Sequence, residues 1–190
     1  MNGFTRLIVL LVLLLTTGCD PSPQPPTSTP GAEEARLLDW DELMPADFQP
    51  GALFEGVDLA SLADDDPKAR ELMTQLREIW DKAPVVETLN GAQIRLPGFA
   101  IPLETDGQST RQFLLVPYYG ACIHVPPPPA NQTVLVEAPA GALIHRVFDA
   151  VWVTGRLAVE PVNTGLAKAG YTLVAAKVEP YVIDQNTPSP

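Results

Sequence analysis

The chain is short of positive charge, of cysteine and histidine, and of long apolar runs, and each shortage narrows what it can do. Its 190 residues hold 12 Lys or Arg against 23 Asp or Glu, a formal net charge of −11. A chain this acidic has no basic footprint for a nucleic-acid backbone. Two cysteines and two histidines leave no paired Cys-x-x-Cys zinc module and no Cys-x-x-Cys redox motif. The apolar run Leu7 to Leu15 is well below the length of about 20 residues that a permanent transmembrane helix needs. Proline, by contrast, occurs 21 times.

The short run reads instead as the core of a secretory signal peptide over residues 1–18, with Arg6 in its basic start. It ends in Thr16-Thr17-Gly18-Cys19, which resembles a bacterial lipobox, although Thr16 stands where that pattern prefers Leu. The resemblance implies lipidation of Cys19. Asp20 after it implies retention on the periplasmic face of the inner membrane. Several acyl chains anchor stably where one chain holds only marginally. Residues 19–32 then form the lipidated cysteine and a Pro-rich tether, in which PSPQPPTSTP offers nothing to bury. In polyproline II geometry, at about 3.1 Å per residue, its ten residues would reach about 30 Å from the membrane. Loss of residues 1–18 removes Arg6 and takes the formal charge from −11 to −12. The remainder divides into a single globular domain over 33–185 and a loose tail over 186–190.

Within the domain, Trp40-Asp41-Glu42-Leu43-Met44-Pro45 reads as a short segment docked by its tryptophan. Asp66-Pro67 supplies an N-cap and a first-turn proline for a helix. Ala69, Leu72, Met73, Leu76, Ile79 and Trp80 form its packing face. The period then changes. Val85 to Leu96 reads as a hairpin turning on Asn90-Gly91 through a type I′ turn. Gly98 to Glu104 extends its second strand. Arg111 to Pro117 is a strand buried on both sides, and Gln132 to Ala138 is another. Ala150 to Glu160 alternates, with Val151, Val153, Leu157 and Val159 on one face. Tyr171 to Ile183 is a final strand, with Thr172, Val174, Ala176 and Val178 sharing a face. Phe99, Phe113 and Trp152 are expected in the core. The class is therefore mainly β with N-terminal helices (α+β), built as a small OB-like antiparallel β-barrel.

One loop concentrates the chemistry: Tyr118-Tyr119-Gly120-Ala121-Cys122-Ile123-His124-Val125, followed by Pro126 to Pro129 and Ala130-Asn131-Gln132. With Cys19 lipidated, Cys122 has no disulfide partner in its own chain, which flags a ligand, a reactive thiol or a mixed disulfide. In an extended segment Cys122 and His124 point to one face, and His145 is the remaining histidine. Three such ligands with a fourth position open suit zinc, the one cofactor this pattern supports, with Asp149 a further carboxylate nearby in sequence. A second reading makes Cys122 a nucleophile activated by His124 or His145. A third makes it a packed thiol beneath a rigid edge. In that edge Tyr118, Tyr119, Pro126, Pro127, Pro128 and Pro129 lose little entropy on docking, and Asn131 and Gln132 bond to a facing backbone. His145-Arg146 otherwise reads as an ordinary loop pair.

Trp40-Asp41-Glu42-Leu43, GFAIPLE (98–104), FLLVPYYGACIHVPPPPANQ (113–132) and VWVTGRL (151–157) together resemble a family of bacterial periplasmic proteins and lipoproteins. The family has no established biochemical activity. The resemblance implies an accessory component beside an ABC-type permease or another inner-membrane protein, with a link to zinc. The expectation is a non-enzymatic, membrane-tethered binding component. A small thiol- or zinc-dependent enzyme centred on Cys122 and His124 is the alternative.

Overall fold

The computed structural model describes residues 34–58, 62–63, 66–104 and 109–182, all within the unit Glu33–Pro190. The signal segment, Cys19, the tether and the 186–190 tail lie outside the described residues. In chain order the elements are β1 (Arg36–Leu37), α1 (Pro67–Asp81), β2 (Gln93–Glu104), β3 (Thr110–Val116), β4 (Val134–Ala142), β5 (Asp149–Ala158), β6 (Val162–Asn163), β7 (Lys168–Ala169) and β8 (Tyr171–Pro180). Short 3-10 turns punctuate them at Trp40–Leu43, Pro50–Phe54, Glu87–Leu89 and Ala130–Gln132.

Five strands close on themselves in the order β2-β3-β4-β8-β5, with β5 pairing back to β2. The β4–β8 pairing is parallel, and the other four are antiparallel. This is an OB-like barrel, as the strand pattern predicts. The mainly β class with a preceding helix also holds, although α1 is the one α-helix among the described residues.

Alternation gives this barrel two apolar faces. Phe113 and Leu115 of β3 point inward with Val134 and Val136 of β4, Val151, Val153 and Leu157 of β5, and Tyr171 and Leu173 of β8. Leu114 and Val116 point outward, where they join Ile101 and Leu135 in a second cluster. All four residues from Phe113 to Val116 are fully buried. The two-sided burial expected for this strand is therefore real: one side meets the barrel interior, the other a covering loop.

Several expectations need correction. Asn90 does not enter the left-handed region; its φ of −61° and ψ of 123° precede Gly91 at φ +83°. The Ala92 N–H donates to the Leu89 carbonyl at 3.1 Å, so this is a type II turn. It follows a 3-10 turn at Glu87–Leu89 rather than a strand, and no hairpin forms there. The final strand does not keep one face. Lys177 pairs with Thr154 and Ala175 with Gly155, so Ala176 is an extra residue and a bulge. The parity flips there, and Val178 joins Ala175 against the inner core. Gly155 is required at this seam, because a Cβ on it would lie 2.2 Å from the Val174 carbonyl oxygen.

The helix starts as expected, with Asp66 accepting from the Lys68 N–H at 2.7 Å and Pro67 in the first turn. Its apolar stripe is covered only in part. Leu76 is buried, Ala69, Leu72, Ile79 and Trp80 are half-buried, and Met73 is exposed. The helix thus rides outside the barrel rather than completing its core. Trp40 docks as predicted, its indole N–H donating to the Pro97 carbonyl at 2.7 Å. Trp152 is only half-buried and lies beneath the Arg95 guanidinium, 4.4 Å away.

Candidate functional site

The loop that carries Cys122 leaves β3 at the end where Val116 pairs with Phe99. It is not extended. Gly120 has φ +89° and Cys122 has φ +67°. The Gly120 carbonyl oxygen accepts N–H groups from His124 at 2.9 Å, Val125 at 3.2 Å and Ile123 at 3.4 Å. The chain curls around a single oxygen, and Ala121 then bridges Val125. The two-residue period that would put Cys122 and His124 on one face does not apply, which corrects that step of the sequence argument. A left-handed residue other than glycine costs about 1–2 kcal/mol, so the surrounding packing must impose this turn on Cys122.

What imposes it is the outer cluster. Ala121 is fully buried against Leu114, Val116 and Ile101, and Cys122 packs half-buried at the same place. Tyr119 leans its ring edge-on to Phe99 at 6.0 Å and against Phe148 at 4.8 Å. His124 also approaches Phe148, at 6.2 Å between rings. Phe148 is itself left-handed at φ +68°, with its N–H donating to the Ala100 carbonyl at 2.8 Å. These rings pave one end of the outer face of β2 and β3.

The outward side of the loop is left uncovered. Tyr119 is 67% exposed and Tyr118 40%, with Ile123, His124, Val125 and Pro126 exposed beside them. Pro127 and Pro129 are half-buried and Pro128 is buried, so only the first of the four prolines belongs fully to the edge. Asn131 and Gln132 do not belong to it at all. Asn131 is 0% exposed and donates its amide to the Pro84 carbonyl at 2.8 Å. Gln132 donates to the Trp40 carbonyl at 2.7 Å. Both amides hold the chain's own N-terminal segments, which corrects their reading as docking groups. The physical reason is the 3-10 turn at Ala130–Gln132, which rotates them inward.

The thiol environment is defined by burial alone, which pushes the Cys122 pKa up to about 11. Burial thus favours the neutral thiol over the thiolate that nucleophilic attack requires. Tyr118 is raised by its own burial and, second, by the neighbouring sulfur. His145 sits exposed in the loop between β4 and β5, and its backbone N–H donates to the Asp149 carboxylate at 2.8 Å. Arg146 donates its N–H to the same oxygen at 3.1 Å, so Asp149 braces this loop. The ordinary loop-pair reading of His145-Arg146 fits that geometry. Among the described residues, no three His, Cys, Asp or Glu side chains group closely enough to hold a metal ion.

The family model described as a protein of unknown function (DUF3299) matches residues 40–180. The chain belongs to the DUF3299 family. A solved structure of a DUF3299 family protein from Pseudomonas aeruginosa PAO1 is similar, at 37% identity and a TM-score of 0.63. The similarity covers 79% of this chain and 98% of that one. None of the curated proteins compared with the chain matches it. The DUF3299 match opens on Trp40, the residue docked on Pro97, and closes on Pro180, the last residue of β8. It therefore takes in the whole barrel, its covering loop and the N-terminal segment clamped by Asn131 and Gln132.

Two members of the exposed edge, Ile123 and Val125, and the buried ring beneath it, Phe148, escape a reading of residue types. Ile123 and Val125 could have been found, since apolar residues between Gly120 and four prolines have no strand to bury them. Phe148 carries no such signal; its left-handed backbone is visible only in the fold.

Proposed function

We propose that this DUF3299 protein is a membrane-tethered periplasmic lipoprotein that acts as the accessory, binding component of an ABC-type transport system. The observation that carries this reading is the exposed aromatic edge of Tyr118, Tyr119, Ile123, Val125 and Pro126. The Tyr119 ring is already held by Phe99 and Phe148, and the backbone of Ile123 to Val125 by the Gly120 carbonyl. A pre-organised aromatic surface gives up little entropy on docking and suits a protein partner. The partner in this reading is the periplasmic part of an inner-membrane permease, reached from the lipid anchor at Cys19 across the Pro-rich tether. A link to zinc belongs to the same proposal, through the partner or through Cys122, His124 and His145.

The alternative is a thiol- or zinc-dependent enzyme at Cys122 and His124; its thiol-dependent form is disfavoured because burial raises the thiol. Cross-linking of membranes carrying the full chain, followed by pull-down, tests the main reading. Wild-type protein is expected to recover a permease component. Tyr119→Ala is expected to weaken that capture about 30-fold, as loss of a central aromatic anchor does. Failure to recover any permease component overturns the reading. Metal analysis of protein prepared without chelator, repeated with Cys122→Ser and His124→Ala, tests the zinc clause: stoichiometric zinc lost in both variants supports a site on this chain.

A further inference from the structure

Two loops and one strand end meet at the first residues of β5. Phe99 of β2 pairs with Ala150, and the Tyr181 N–H donates to the Ala150 carbonyl at 2.8 Å. The small Ala150 therefore stands between Phe99 and Tyr181. Tyr119 meets Phe99 on one side of this row, and Trp152 meets Tyr181 at 5.1 Å on the other. Arg95 covers Trp152, and its guanidinium also approaches Glu179 at 3.8 Å. Val147 and Val182 flank the row and are both exposed, as are His145 and Arg146.

The charge here differs from that of the whole chain. Arg95, Arg146 and Lys177 stand against Asp149 and Glu179, and both carboxylates are engaged. Asp149 pairs with Arg146 at 3.6 Å and accepts the His145 and Arg146 backbone N–H groups. Glu179 pairs with Lys177 at 2.8 Å as well as with Arg95. Locally that is three cations to two acids, where the chain holds 12 to 23. A cleft elsewhere on the barrel is walled by Glu104, Glu137 and Glu160 with no lysine or arginine. The patch residues line neither that cleft nor those along α1 and beside β7.

We propose that this end of the barrel rests on an anionic phospholipid surface. Trp152 and Tyr181 lie at the level of the headgroups, Val147 and Val182 reach toward the acyl boundary, and Arg95, Arg146 and Lys177 meet lipid phosphates. Trp and Tyr rings favour a membrane–water interface because one end of each is apolar and the other is wet. Each Lys or Arg beside an anionic surface strengthens binding about fivefold. The rest of this acidic chain is repelled by the same surface, so charge selects which end faces it. The tether agrees with that orientation. Arg36 of β1 pairs with Ile94, five residues before Phe99 and thus about 17 Å from it along β2. The Pro-rich segment reaches about 30 Å. In the lipoprotein reading, on which this step alone rests, the anchored domain can lay the patch on the membrane that holds Cys19. The patch adjoins the aromatic edge at Phe99 but does not include Tyr118, Ile123 or Val125. A permease on the edge and lipid under the patch are therefore compatible.

Co-sedimentation of the full mature chain, residues 19–190 without its lipid, with vesicles tests the proposal. Saturable binding is expected to vesicles of phosphatidylethanolamine and phosphatidylglycerol, and much weaker binding to phosphatidylcholine alone. Arg146→Gln is expected to weaken it about fivefold. Val182→Asp is expected to weaken it about tenfold, the effect of losing one buried valine. Met73→Asp, which adds the same charge on the exposed side of α1, is expected to have a smaller effect than Val182→Asp. Absence of binding at about 1 mM lipid overturns the proposal. Equal binding to phosphatidylcholine, or equal weakening by Met73→Asp, overturns it as well. So does a Val182→Asp protein that binds vesicles normally but no longer captures a permease component, because the patch then belongs to a protein partner. Since the lipid is absent from the tested chain, a failed lipoprotein reading shows separately, in the mass of the chain recovered from membranes. Circular dichroism of the variants separates a lost surface from a lost fold.

Discussion

The barrel interior and the cluster on its outer face are made from alternate residues of the same strands, yet they are closed by different means. Inside, Phe113, Leu115, Val136 and Leu173 meet residues of other strands, and the ladder that buries them also satisfies their backbones. Outside, Leu114 and Val116 are covered by a loop, Ala121 and Cys122, and by the short β6–β7 hairpin around Ala167 and Ala169. The first closure is obligatory once the strands pair. The second is an addition, and it strains the backbone at Cys122 and Phe148. Barrels of this type commonly take ligands on the face that this loop covers. Here one end of that face is roofed and presents aromatic rings outward, while the other end remains open between carboxylates.

Perturbing each region separately measures that difference. The largest effect is expected from Phe113→Ala, which empties a fully buried ring position inside the barrel and should cost about 3–5 kcal/mol in urea unfolding. Next comes Tyr171→Phe. The Tyr171 hydroxyl accepts the Val86 N–H at 2.7 Å and donates to the Leu43 carbonyl at 2.8 Å. Its loss leaves two backbone groups without partners and should cost about 1–3 kcal/mol. Cys122→Gly in the outer region should change stability by less than about 1 kcal/mol, because relief of the left-handed backbone offsets the lost half-buried contacts. A cost near that of Phe113→Ala would mean that the outer cluster is as tightly packed as the interior.

The smallest effect is kinetic. With its pKa pushed up to about 11, only about one Cys122 thiol in ten thousand is ionised at pH 7. Folding protects the neutral form, so alkylation by iodoacetamide should be slow at neutrality and rise steadily through pH 9 towards pH 11. An inflection near the ordinary thiol value would place the sulfur in water and remove it from the outer cluster.

These two regions were not equally legible from residue order. The interior was, because alternation reports it directly: Val151, Val153 and Leu157 occupy the positions the pattern assigns. The Asp66-Pro67 helix start and the Trp40 anchor were legible for the same reason, each resting on local chemistry. The Ala176 bulge was not, since one extra residue in a strand leaves no mark on composition. In the loop, the residue types pointed to the right place and the wrong geometry. Cys122 and His124 suggest an extended pair, but the turn around the Gly120 carbonyl depends on an outer cluster formed by residues far along the chain. Asn131 and Gln132 look like surface amides until Pro84 and Trp40 are brought to them.

The Tyr171 hydroxyl bond to Leu43 spans 128 positions, and it sets an order of events for a chain made from one end. The Trp40–Leu43 turn can form early, but its tie to the barrel must wait until the last strand has been synthesised and has found β4 and β5. Topologies governed by such distant pairings fold on the scale of milliseconds to seconds. The polypeptide stays open until its final strand arrives, and only then does the N-terminal segment lock.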